Sequence, residues 1–132
     1  MKPLPALLGL ALTALVLAAP AAAKEGVKAT LTKPVPLHAP AGSRLTITWT
    51  LTYRDDHGRR RFFGAGEVFV RLLSGTGARS TVAFVNGDGH YRARVRVPSG
   101  GIGGIRIGLR GYNDYGVADM YFPITNNPFR RK

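Results

Sequence analysis

The sequence predicts an all-β protein, a single antiparallel β-sandwich of about seven strands. Three observations carry this reading. Short segments alternate apolar and polar side chains; clusters of Gly, Asn and Pro separate them; and no segment sustains a 3.6-residue period.

Each element follows from its own residues. From Arg44 to Tyr53, Leu45, Ile47, Trp49, Leu51 and Tyr53 fall on one side and Thr46, Thr48, Thr50 and Thr52 on the other. Successive strand side chains point to opposite faces, so this is a half-buried strand with an outward Thr row. Tyr91, Ala93, Val95 and Val97 alternate with Arg92, Arg94 and Arg96 in the same way. Glu67 to Leu73 is a more apolar strand, and Arg79 to Val85 is another. Asn86-Gly87-Asp88-Gly89 has the composition of a tight hairpin turn leading to Tyr91. Ile105 to Arg110 and Val117 to Ile124 are two further strands, joined by a compact turn over Tyr112 to Gly116. Val27 to Thr32 reads as an edge strand, because prolines follow at 34 and 36. Strands in this order suit an immunoglobulin-like sandwich, with a small β-barrel as the alternative.

The chain has 132 residues and no Cys. Disulfides, thiol nucleophiles and Cys-ligated metals are therefore excluded, as is the paired-Cys pattern of antibody-type domains. Lys2, the apolar run Leu7 to Ala19, Pro20 and Ala21-Ala22-Ala23 form the pattern of a cleavable secretory signal peptide over residues 1–23. That run is too short to span a bilayer, and no later stretch is longer. The expected mature chain has 18 cations against 7 acids, a net charge of +11 against +12 for the whole sequence. Residues 24–126 form the expected domain and 127–132 a basic tail, which ends in Phe129-Arg130-Arg131-Lys132 and is read as mobile.

Three stretches carry a resemblance. They are Ala41-Gly42-x-x-Leu45-x-Ile47-x-Trp49-x-Leu51, Gly89-His90-Tyr91-Arg92-Ala93-Arg94-Val95-Arg96-Val97-Pro98, and Phe122-Pro123-Ile124-Thr125-Asn126-Asn127-Pro128-Phe129. Together they resemble the small exported immunoglobulin-like domains of bacteria of the YtkA/FixH-like kind. The resemblance implies an exported β-sandwich. Some such domains sit near copper handling or oxidase assembly, but this chain lacks the Met- and His-rich pattern that role needs.

Metal and catalytic signals are sparse. His38, His57 and His90 have no second His at ligand spacing, and Asp55-Asp56-His57-Gly58 reads as a solvated turn. Asn86, Asp88 and His90 alternate like calcium-loop positions, but the twelfth position is Val97 rather than an acid. None of Ser43, Ser74, Ser80 and Ser99 lies in a Gly-x-Ser-x-Gly setting. The Gly-rich run at 100–104 opens a strand and lacks the Lys-Ser/Thr ending of a phosphate loop. The reading is therefore a non-enzyme without cofactor, with a small hydrolase as the minor catalytic alternative. A copper carrier using His38, His57, His90 or Met120 is the alternative.

The arginines stand out. Arg92, Arg94 and Arg96 project from one face at about 6.8 Å spacing, twice the rise per residue. Pairing with the Arg44 strand would set them beside the Thr row. Arg59, Arg60 and Arg61 add charge next to Phe62 and Phe63 in a long loop, and Arg71, Arg106 and Arg110 form a sparser second row. Arginine stems also cover apolar sheet surface, so such rows serve solubility as readily as recognition. As a binding surface they would suit an anionic envelope polymer, a lipid surface or another envelope protein in a secreted or periplasmic setting. Nucleic acid is the weaker partner class, since interleaved aromatics are few.

Overall fold

The computed structural model describes residues 26–77 and 79–129. The expected signal segment and the last three tail residues lie outside the described residues. All regular structure among the described residues is β: β1 (Lys28–Leu31), β2 (Arg44–Arg54), β3 (Arg60–Phe62), β4 (Ala65–Ser74), β5 (Ser80–Gly87), β6 (His90–Arg96), β7 (Ile102–Asn113) and β8 (Gly116–Phe122). Among those residues there is no helix long and apolar enough to cross a membrane.

Two antiparallel four-stranded sheets pack face to face. In the first, β2 is central; β1 lies along one side, while β6 and the short β3 share the other. The second has the order β5-β4-β7-β8. The sheets keep separate edges, so the molecule is a sandwich and not a barrel. Lettered along the chain, β1, β2 and β6 stand as A-B-E, and β5, β4, β7 and β8 as C′-C-F-G. This is the predicted immunoglobulin-like arrangement.

The core is built from the inward rows. Ile47, Trp49 and Leu51 of β2 meet Val68, Val70 and Leu72 of β4 and Ile105, Ile107 and Leu109 of β7. Trp49 and Tyr91 are direct cross-strand partners, and their rings stack 5.7 Å apart at 14°. The Tyr91 hydroxyl donates to the Phe63 carbonyl at 2.7 Å and accepts from the Ala65 amide at 3.0 Å. Burial pushes the Tyr91 hydroxyl pKa up, so it stays a neutral donor. It thus ties Phe63 and the start of β4, in the second sheet, to β6 in the first. Tyr91→Phe is expected to destabilise by about 1–3 kcal/mol, because a buried amide and a carbonyl lose their partner. Urea unfolding followed by circular dichroism measures it.

Three expectations change. The 86–89 segment is not a hairpin turn within one sheet: β5 lies in the second sheet and β6 in the first, so the chain turns a corner. Glycine makes that corner possible. A Cβ at Gly87 would lie 2.6 Å from the Tyr91 ring, and Gly89, at φ 122°, is pressed against Phe62. The 54–66 loop contains a strand, β3, which extends the first sheet beside β2. The tail is tied down as far as Phe129. Asn126 exchanges two hydrogen bonds with the Leu31 backbone, at 2.9 and 2.8 Å, and Phe129 packs on the core. The domain therefore runs past 126.

Candidate functional site

Strand parity and register decide what the first sheet presents to solvent. Ala29, Ile47, Trp49, Leu51, Tyr91, Ala93 and Val95 point inward. Their neighbours must point outward: Lys28 and Thr30 on β1; Arg44, Thr46, Thr48, Thr50, Thr52 and Arg54 on β2; His90, Arg92, Arg94 and Arg96 on β6. β3 adds Arg60 opposite Arg54 and Phe62 opposite Thr52. The Thr row lies beside the Arg row as expected, with Thr46 opposite Arg94 and Thr48 opposite Arg92. None of these outward positions carries Asp or Glu.

Two cross-strand pairs on this face join like charges, Arg44 with Arg96 and Arg54 with Arg60. Like charges directly opposite each other cost stability. Among the described residues, no ion pair involves any cation of this face.

The second sheet uses its arginines differently. Arg71, Arg106 and Arg110 do share its outer face, across β4 and β7. Arg71 and Arg110 both bond Asp119, at 3.5 and 3.1 Å. Their guanidinium groups also lie over rings: Arg71 over Phe69, Arg106 over Tyr121 and Arg110 over Phe84. Phe69 is fully buried on this outer side, because Gly108 beside it leaves room for its ring. Arginine here covers aromatic rings, and two of the three are paired with Asp119; Arg106, directly opposite Arg71, lies over Tyr121 without an ion pair among the described residues. On the outward face of the first sheet no arginine among the described residues lies in an ion pair or over an aromatic ring.

The Arg59–Phe63 group is split by the structure. Arg60 joins the cationic face and Phe62 stays exposed, its ring 4.4 Å from that of His90. Phe63 is a correction: it is 8% exposed and sits in the core against Phe122 and Tyr53, so it contributes nothing to a surface. Arg61 is neutralised, its Nε donating to Asp55 at 2.9 Å.

Asp55 also accepts from the amides of His57 and Arg59, each at 2.9 Å, which folds the β2–β3 turn. Its carboxyl is held below the usual carboxylate range, first by Arg61 and then by the Arg59 amide. A depressed carboxylate stabilises the turn fully above the ordinary range and loses that contribution as pH falls through its own lowered pKa. The Asp55 titration midpoint, followed by carbon-detected NMR, is expected to rise toward the ordinary value in Arg61→Ser.

The candidate ligands are dispersed. His38 lies in the β1–β2 crossing, His57 in the β2–β3 turn, His90 on the cationic face and Met120 on β8. No group of three or more His, Cys, Asp or Glu converges among the described residues. The face members that sequence reading left out are Lys28, Arg44 and Arg54. Arg44 and Arg54 share the parity of the Thr row, which was a usable signal; Lys28 needed the β1–β2 register.

Fold and face together define a class: an immunoglobulin-like β-sandwich whose second sheet pairs two of its outward arginines with Asp119 and whose first sheet presents an outward cationic face with no ion pair among the described residues. No family model, curated protein or solved structure was found to match the chain.

Proposed function

We propose that this protein is a non-enzymatic, secreted or periplasmic binding module whose first sheet holds an anionic polymer of the cell envelope. The observation that carries the proposal is the concentration of cations without ion pairs on the outward face of the first sheet, including two directly opposed like-charge pairs. Solubility alone does not require that arrangement. On the second sheet, by contrast, the three outward arginines lie over aromatic rings and two of them share Asp119. The signal-like N-terminal sequence supports the exported setting.

A hydrated polymer suits the face better than a lipid surface. Docking on lipid combines cations with apolar side chains that enter the acyl boundary. The exposed Phe84, Val117 and Tyr121 lie on the second sheet, and Phe62 is the large exposed hydrophobe among the strand positions of the first. Threonine hydroxyls and arginine forks instead match the hydroxyls and acid groups of a polysaccharide.

The test is binding to heparin, a model polyanion, over a salt series. Log K is expected to fall linearly with log salt, with a slope of about −2 to −4 for three or four neutralised groups. Absence of binding at about 50 mM salt, where screening is weak, would contradict the proposal.

A further inference from the structure

One end of the cationic face is hollow. Between β1 and the β2–β3 hairpin lies a concavity of about 700 Å³, within the size range of small-ligand sites. Lys28, Arg54 and Arg60 line it together with Thr50, Thr52 and Thr125. One wall is the chain after β8, which runs alongside β1: Thr125 N donates to the Ala29 carbonyl at 2.9 Å. The Thr30 and Thr125 hydroxyls meet at 2.9 Å on that wall. The opposite wall is held by Arg54, whose Nη1 donates to the Gly58 carbonyl at 2.8 Å. That bond orients one side of the guanidinium and leaves further N–H groups to donate elsewhere.

We infer that this concavity is a subsite for a phosphate or sulfate monoester group carried by the bound polymer. The inference rests on the proposed polyanion-binding function and assigns its anchoring chemistry. The donors come from three strands: Lys28 from β1, Arg54 and Thr52 from β2, and Arg60 from β3. A tetrahedral monoester offers three terminal oxygens in three directions, whereas a carboxylate offers two in one plane. Arg54 and Arg60 face each other across the strand pair, and a group accepting from both converts their repulsion into a shared contact. The charges lie at one end of the sheet, with the Arg92–Arg96 row continuing the face. A chain anchored by its ester in the hollow would therefore run along that row.

The experiment is calorimetric titration of the mature chain with methyl phosphate, methyl sulfate, inorganic phosphate and acetate, beside heparin binding by the same protein. Saturable millimolar binding of either ester, with acetate at least about tenfold weaker, is expected. Arg54→Ser with Arg60→Ser is expected to weaken ester binding about tenfold or more. Thr52→Val, which keeps the shape and removes one hydroxyl, is expected to weaken it less. Inorganic phosphate binding as well as methyl phosphate would assign the subsite to a free ion and overturn the polymer anchor. If heparin binds while neither ester does, or if acetate equals the esters, the subsite is wrong and the face stands. If heparin fails too, both readings fall.

Discussion

Replacing Arg92, Arg94 and Arg96 together by Ser is expected to weaken heparin binding on the order of 100-fold at about 150 mM salt. The magnitude follows from counterion release: each arginine that no longer neutralises an anionic group takes about 0.7–0.9 off the slope of log K against log salt. Three such decrements, with the affinities converging near 1 M salt, give that factor. The flattened slope is a second signature, separate from affinity. Folding should survive, because these side chains are exposed on strand positions whose inward neighbours are untouched. Stability should even rise slightly at low salt, since Arg44 would no longer face Arg96. Arg106→Ser is the matched control: it also removes an exposed arginine from a strand, but from the second sheet, where it lies over Tyr121. It is expected to leave heparin binding unchanged. A triple variant that binds like the wild type would remove the β6 row from the site.

Trp49→Ala is the substitution with the largest expected effect on folding, about 3–5 kcal/mol. Trp49 is 1% exposed and stacks on Tyr91 directly across the β2–β6 pair. No disulfide supports the sandwich, since the chain has no Cys, so the core alone opposes the entropy of unfolding. A small domain has about 5–15 kcal/mol in total, and the substitution removes a large share of it. At a urea dependence of about 1–3 kcal/mol per M, the midpoint should fall by roughly 2 M. Circular dichroism is the readout, because the substitution removes the only Trp. A midpoint shift below about 0.5 M would mean that the Trp49–Tyr91 stack is not a main support of the fold.

The parts of the fold written in period-2 alternation were legible before any coordinates. β2 and β6 show it over their whole length, and their outward Thr and Arg rows lie side by side as the strand order implies. β3 was not legible, because three residues contain no period. The fate of Phe63 and Arg61 was hidden for a different reason: each depends on a partner chosen by folding. Phe63 is drawn in where its carbonyl receives the Tyr91 hydroxyl, and Arg61 turns back to Asp55 within its own hairpin. The 86–89 corner and an ordinary hairpin share the same Asn-Gly and Asp-Gly signals. Close packing of Gly87 on Tyr91 and of Gly89 on Phe62 separates them, and that packing depends on the tertiary fold. In the cationic face, Arg92, Arg94 and Arg96 could be read from one strand, but Lys28 and Arg60 join them only through the pairing of β1 and β3 with β2.

The central claim is that the first sheet, and not the second, meets the polyanion. Amide chemical-shift mapping with a short heparin oligosaccharide tests this most directly. Shifts are expected along β2 and β6 and at the Lys28 and Arg60 ends of β1 and β3, with the outer positions of β4, β5, β7 and β8 unmoved. Shifts centred instead on Phe84, Arg106, Arg110 and Tyr121 would contradict the claim and place recognition on the aromatic face of the second sheet.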